Sequence, residues 1–268
     1  MFDDPALLRY SRHILLDDLG IEGQERIARG RALVVGAGGL GSPASLYLAA
    51  SGLGTLILCD HDQVDLTNLQ RQIALGTADV GRDKVAATAE RLADLNPLCK
   101  VVPQSRRLDA AALAGLVPQV DVVLDCSDNF ATRHAVNAAC VQAGVPLVSG
   151  AAIRFDGQIA VFDAREPLSP CYECLFPATD AADEVRCAEM GVFAPLTGIV
   201  GATQAAEALR LIAGIGQALT GRLLLLDALS MRWHEVQVPR DPACRVCGPL
   251  ARPDARPSGS PDPSADAR

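Results

Sequence analysis

Residues 31–60, RALVVGAGGLGSPASLYLAASGLGTLILCD, decide the fold. Residues 32–35 form an apolar run too short for a helix, and it breaks at Gly36, Gly38, Gly39 and Gly41. Apolar residues then recur at helical spacing over 40–50, and residues 55–59 give a second buried strand that ends at Asp60. The order strand, glycine loop, helix, strand is a βαβ unit. Gly36, Gly38 and Gly41 allow a tight turn and close approach of backbone to a phosphate, while the following helix aims unpaired N–H groups at that anion. Asp60 lies 19 positions past Gly41 (60 − 41), where a carboxylate accepts hydrogen bonds from ribose hydroxyls. An adenine nucleotide is therefore the expected ligand. The fingerprint alone fits NAD, FAD, S-adenosylmethionine or ATP, and a turn without ligand is the plainer alternative.

Composition bounds the answer. The 268 residues suit one large domain or two small ones, and 49% hydrophobic content with a mean hydropathy of +0.19 supports a substantial core. A net charge of −8 and a pI near 5.0 argue against a nucleic-acid partner, which requires clustered Lys and Arg. The first residues do not read as a secretory leader and no apolar run reaches membrane-spanning length, so no membrane partner is expected and the cytoplasm is the default compartment.

In chain order, residues 4–19 (DPALLRYSRHILLDDL) predict a surface helix opened by Asp4 and Pro5, followed by a short helix over 24–29. After Asp60 comes HDQVDLTNLQRQ, which crowds Asn68, Gln70, Arg71 and Gln72 where ligands sit in parallel sheets. Residues 81–96 predict a helix with Lys84 in its first turn. A cation there opposes the helix dipole, so Lys84 calls for a separate reason, and with Arg71 it suggests a polyphosphate. Idle surface cations are the alternative. Residues 99–103 and 120–125 read as strands, the second running into Ser127, Asp128 and Asn129. Asp128 is either a helix cap or a carboxylate ligand for Mg2+ beside a triphosphate. Strands over 145–149 and 158–163, joined by the RFDG turn, make the expected sheet mixed, and strands over 223–227 and 233–238 follow a buried helix over 198–213.

The nine cysteines are an odd number for a disulfide framework. Cys171 and Cys174 (CYEC) and Cys244 and Cys247 (CRVC) are paired as CxxC and match a closed, structural tetrahedral zinc site. The gap of 70 positions between Cys174 and Cys244 (244 − 174) leaves free cysteines as the alternative. Cys59, Cys99, Cys126 and Cys140 fall in strands or helices and read as core. After residue 250 the composition of Pro, Ser, Asp and Ala predicts a disordered tail, so the expected division is one domain over 1–250 and a tail over 251–268.

Taken together, GAGGLGS, DHDQVDLTNLQRQ, GRDKV, DCSDN, SGAAIRFDGQ, CYEC, GVFAPLTGIVG and CRVC, in that order, resemble the ThiF, MoeB and HesA group of E1-like adenylyltransferases over nearly all of residues 5–248. The resemblance implies an α/β, Rossmann-like, mixed and largely parallel sheet flanked by helices, in a homodimer. It further implies attachment of AMP from ATP to the C-terminal glycine of a small β-grasp sulfur carrier ending in Gly-Gly, with release of pyrophosphate. The nearest branch serves molybdenum-cofactor biosynthesis, and the thiamine-pathway branch is the alternative. Because the chain shows no rhodanese-like segment, sulfur is expected from a separate protein.

Roles follow from the resemblance, position by position. Attack of a carboxylate on the α-phosphorus needs in-line positioning and countercharge on pyrophosphate, assigned to Arg71 and Lys84. Asp128, with Asn129 beside it, would hold Mg2+. Gly39 and Gly41 would approach the phosphates, Asp60 would take the ribose, and Asn68 would be a polar clamp. Arg12 stands where the family places an arginine that reaches the neighbouring subunit's phosphates, whereas on periodicity alone Arg9, Arg12 and His13 read as a solvated helix face. Cys187 stands where members carry a loop cysteine, a candidate thiol that links covalently to the carrier in the thiamine branch, with an inert loop thiol as the alternative. Two rivals are an NAD-dependent oxidoreductase, which leaves Arg71, Lys84 and Asp128 unexplained, and a non-catalytic zinc scaffold, which would not need them.

Overall fold

The computed structural model describes residues 2–178 and 191–248. One eight-stranded sheet forms its centre, from β1 (Arg31–Val35), β2 (Thr55–Cys59), β3 (Lys100–Gln104), β4 (Val122–Asp125), β5 (Leu147–Ile153), β6 (Asp156–Phe162), β7 (Arg222–Asp227) and β8 (Arg232–Gln237), in the order β3-β2-β1-β4-β5-β6-β7-β8. The first five strands in that order are mutually parallel, through four pairings, and the last three pairings are antiparallel.

The short apolar runs become strands because they are buried on both faces. Along β1, Ala32 and Val34 face a core shared with helices α4 (Gly41–Ala50), α5 (Lys84–Leu95) and α9 (Ala194–Ala213). Leu33 and Val35 face a second core shared with α6 (Ala110–Leu116) and α7 (Phe130–Ala143). Two-sided burial removes the alternation of polar and apolar residues that a half-exposed strand would show. From β1 the chain steps one way to β2 and β3, then returns to place β4 on the other side of β1. That reversal creates a crevice at the carboxyl ends of β1 and β4, the place where such sheets take ligands.

Several boundaries differ from the expectation. The predicted helix over 4–19 is two, α1 (Asp4–Arg9) and α2 (Ser11–Ile14). The break falls at Tyr10, whose ring is drawn into the core against Gly52 and whose hydroxyl accepts a hydrogen bond from Asn96 Nδ2 at 3.0 Å. The next helix, α3 (Gly20–Arg29), starts earlier than expected. Conversely α5 starts late, because Gly81 and Arg82 exchange backbone hydrogen bonds with Val64 and the Lys84 N–H donates to the Asp62 carbonyl. Helix α9 begins four residues earlier than predicted, with Pro195 in its first turn. Tyr172–Leu175 forms a short helix, α8, inside the first CxxC segment. No helix of the described residues is long and apolar enough to cross a membrane. Cys187 and the predicted tail over 251–268 lie outside the described residues.

Candidate nucleotide site and thiolate cluster

A cleft of about 470 Å³ opens at the β1/β4 crevice. The glycine loop, the residues after β2, the residues after β3 and the turn after β4 converge on it, and β5, β6 and the start of α9 also line it. Of the predicted site residues, Gly39, Asp60, Asn68, Arg71, Lys84, Asp128 and Asn129 all line it. Gly41 and Arg12 do not.

At Gly41 the demand is close packing. A Cβ built there would fall 1.8 Å from the Gly36 carbonyl oxygen, so only glycine lets the first turn of α4 back onto the loop. Gly39 is walled differently: a Cβ would meet Arg71 Cγ and Cδ at 3.3 Å and Thr197 Cγ2 at 3.2 Å. The Arg71 stem therefore lies across the glycine loop, and its guanidinium donates to the Thr67 carbonyl at 3.3 Å.

Asp60 fastens the loop to the end of β2. Its Oδ2 accepts from the Ala37 N–H at 2.7 Å and its Oδ1 from the Asp62 N–H at 2.9 Å. Each carboxylate oxygen retains accepting capacity for a ribose hydroxyl. Asn68 closes a capping box with Asp65, its Oδ1 accepting from the Asp65 N–H at 3.2 Å, which leaves its amide hydrogens as the donors for a ligand. Lys84 is buried and its Nζ pairs with Asp62 Oδ2 at 2.8 Å. This pair is the local reason for a cation at a helix start, and the Lys84 hydrogen bond holds the Asp62 carboxyl below the usual carboxylate range.

The turn after β4 divides the two jobs that sequence left open for Asp128. Asn129 is the cap of α7, its Oδ1 accepting from the Thr132 N–H at 2.9 Å. Asp128 is exposed at the cleft, and among the described residues no hydrogen bond or ion pair engages its carboxylate. A carboxylate with uncommitted oxygens suits a hard, oxygen-seeking cation such as Mg2+.

Sequence reasoning missed the supports of this turn. Arg133, in the first turns of α7, is buried, donates to the Ser127 carbonyl at 2.5 Å and faces the fully buried Asp125 at 3.7 Å. Asp125 in turn accepts from the Ser127 N–H and hydroxyl. The signal was available: a cation early in a helix, like Lys84, opposes the dipole and needs a nearby acid. Arg106 and Arg107, at the end of β3, also line the cleft, as does the buried Gln72. Two adjacent arginines at the carboxyl end of a parallel strand were the legible sign.

Arg12 sits on α2, exposed, and among the described residues no hydrogen bond or ion pair holds its guanidinium. Its neighbour His13 hydrogen-bonds Gln24 through Nδ1 at 3.0 Å, and the buried Gln24 donates to the Ser51 carbonyl, so the helix is fixed while the arginine points elsewhere than its own cleft.

The four CxxC cysteines meet in space. Their sulfurs lie within 4.8 Å of one another, with Cys171–Cys174 at 3.9 Å, Cys171–Cys244 at 3.7 Å and Cys174–Cys247 at 3.4 Å. A tetrahedron of about 2.3 Å zinc–sulfur bonds has edges near 3.8 Å, so the set fits that ion, whereas a disulfide needs about 2.05 Å. The buried Glu173 joins the two segments, accepting from Arg245 Nε at 2.5 Å and facing His134 Nδ1 at 2.8 Å. The other described cysteines are core thiols. Burial pushes Cys59 up to about 12 and Cys99 up to about 11, and raises Cys126 and Cys140 as well.

The ThiF family profile matches residues 10–246. The molybdopterin-synthase adenylyltransferase of Escherichia coli (strain K12) is 45% identical over 245 residues, covering 91% of this chain and 98% of that protein. The sulfur carrier protein ThiS adenylyltransferase of the same organism is 43% identical over 246 residues, covering 92% and 97%. Among solved structures, Escherichia coli MccB with ATP superposes with a TM-score of 0.79 at 26% identity, covering 90% of this chain and 73% of that one.

Proposed function

This chain belongs to the ThiF family, and from that premise we propose that it adenylates the C-terminal glycine of a small sulfur-carrier protein with ATP, releasing pyrophosphate. The observation that carries the reading is the convergence of Asp60, Asn68, Arg71, Lys84 and Asp128, from separate loops, on one glycine-loop cleft. A dehydrogenase would use the glycine loop and Asp60 but has no task for Arg71, Lys84 and Asp128.

In the proposed reaction a carboxylate oxygen of the carrier forms a bond to the α-phosphorus as the bond from that phosphorus to the bridging oxygen of the β-phosphate breaks. Pyrophosphate departs with the electron pair, and the product is an acyl-adenylate. Arg71 and Lys84 supply fixed positive charge where negative charge collects on the leaving group, and such preorganised groups need no rearrangement as the barrier is crossed. Asp60 positions the ribose and Asn68 donates to the nucleotide. Asp128, beside Asn129, would hold Mg2+, which supplies charge neutralisation on the phosphates. Arg12 completes the site of a second copy in a homodimer. The exposed Leu8, Leu15, Leu16 and Ile21 around it form an apolar surface suited to that contact.

The carrier is read as the molybdenum-cofactor one, ending in Gly-Gly, with sulfur delivered afterwards by a separate protein. The thiamine-pathway carrier is the second reading, favoured by the comparable identity to that branch. Zinc at Cys171, Cys174, Cys244 and Cys247 is structural, since four thiolates leave no coordination position for a substrate. Residues 1–250 act as one adenylation domain in the cytoplasm, where thiols stay reduced. The test is the intact mass of purified carriers after incubation with the protein and Mg-ATP. A carrier ending in Gly-Gly should gain the mass of AMP. No gain with any such carrier, together with thermal protection by NAD and none by ATP, would overturn the proposal.

A further inference from the structure

Across the cleft the sheet order runs β1, β2, β3. Phosphates belong at the glycine loop after β1, crossed by the Arg71 stem, and the ribose belongs at Asp60 after β2. The next strand outward is β3, and the residues just past its end that line the cleft are Arg106, Arg107 and Leu108. Their backbone is pinned. Gln104 pairs with Cys59, the Asp60 N–H donates to the Gln104 carbonyl at 3.3 Å, the Arg106 N–H donates to the same carbonyl at 2.9 Å, and Ser105 Oγ donates to Asp83 at 2.8 Å. Both guanidiniums are exposed, and among the described residues no hydrogen bond or ion pair claims either one.

The acids of the cleft are committed elsewhere or distant along the sheet. Asp60 accepts from Ala37 and Asp62, Asp62 pairs with Lys84, and Asp128 stands after β4, two strands beyond β2. Arg106 lies close enough to the end of β2 that its charge offsets part of the rise burial imposes on the Cys59 thiol. Val35 and Cys59, at the ends of β1 and β2, and Leu108, next to Arg107, give the same cleft apolar lining. Planar cations in a cleft that also offers apolar lining, one strand beyond the ribose, suit the faces of a purine. Arginine stacks on such rings, and it is weakly enough hydrated to do so at modest cost.

We propose that Arg106 and Arg107 form the base end of the nucleotide cleft and hold the purine by stacking a guanidinium on its face. They thereby add affinity for the nucleoside without acting on the triphosphate. This rests on the nucleotide reading above, and the following measurement separates the two.

Calorimetric binding of Mg-ATP and of Mg-tripolyphosphate is compared for the full chain, Arg106→Ala, Arg107→Ala, Arg107→Lys and Lys84→Ala. At least one of the two alanine variants should bind ATP about three- to thirtyfold more weakly, with tripolyphosphate unchanged within twofold. Arg107→Lys should match Arg107→Ala, because lysine keeps the charge and loses the planar stack. Lys84→Ala should weaken both ligands. Equal weakening of ATP and tripolyphosphate in the arginine variants would assign them to the phosphates and overturn the proposal, as would unchanged ATP affinity in both alanine variants, or full affinity in Arg107→Lys where Arg107→Ala is weakened. Failure of the unaltered chain to bind ATP at all would overturn the nucleotide reading itself.

Discussion

The Lys84 ammonium nitrogen stands 2.8 Å from Asp62 Oδ2, with the lysine side chain 7% exposed and the aspartate 53% exposed. The cation is thus fixed inside the cleft wall while its partner remains at the water. A phosphate arriving in the cleft meets a charge already desolvated and oriented, and Asp62 can turn to solvent. Lys84→Ala should therefore lower kcat for adenylation by about a hundredfold or more, the loss typical of one preorganised charge donor. The carrier KM should change little, since that charge matters most as pyrophosphate leaves. Steady-state kinetics at saturating ATP check this; a raised KM with unchanged kcat would contradict it.

The same pair makes a statement about pH. Asp62 has a depressed carboxyl pKa in the folded chain, chiefly through the Lys84 hydrogen bond, against an ordinary value of 3.8. A depressed carboxylate contributes stability that is fully present above its unfolded value and is lost as pH falls through the folded one. Asp62→Asn should accordingly be less stable than the native chain at neutral pH, by about 1 kcal/mol because the aspartate is half exposed. That gap should close in acid below 3.8. Denaturant unfolding of both chains at neutral and acid pH reads the difference, and a gap that widened in acid would be the wrong sign.

The thiolate cluster predicts one zinc per chain. Replacing Cys171 or Cys244 by Ser should release the metal and cost several kcal/mol of folding free energy, because ligand assembly and folding are a single event at a closed site. Elemental analysis with a thermal melt tests both halves. Protein purified without chelator and free of zinc would refute the assignment.

Arg12 carries the prediction about assembly. Because it does not reach its own cleft, a mixture of Arg12→Ala and Asp128→Ala chains should regain part of the activity that each lacks alone. In the mixed dimer one of the two sites has both groups. Absence of recovery in a preparation shown to contain mixed dimers would place Arg12 outside the reaction.

The parts of this molecule legible in sequence are those set by local chemistry. The glycine loop, Asp60 and the doubly buried strands announce themselves through spacing and unbroken apolar runs, and the CxxC pairs through ligand geometry. What escaped depends on distant partners. Tyr10 breaks the first helix because Gly52 and Asn96 receive it, a contact no window around residue 10 reveals. Lys84 finds Asp62 across 22 positions (84 − 62), and Arg133 finds Asp125 only once the turn has folded. Arg106 and Arg107 carried a local sign, two adjacent arginines after a strand, but that they reach this cleft follows only from β3 flanking β2.

The central claim is that this cleft activates a carrier carboxylate with ATP, and exchange of labelled pyrophosphate into ATP tests it most directly. The account predicts exchange that requires both Mg2+ and a carrier ending in Gly-Gly, and that disappears in Asp128→Ala while the thermal midpoint holds, since Asp128 is exposed and uncommitted. Exchange without any carrier, or undiminished exchange by Asp128→Ala, would contradict it.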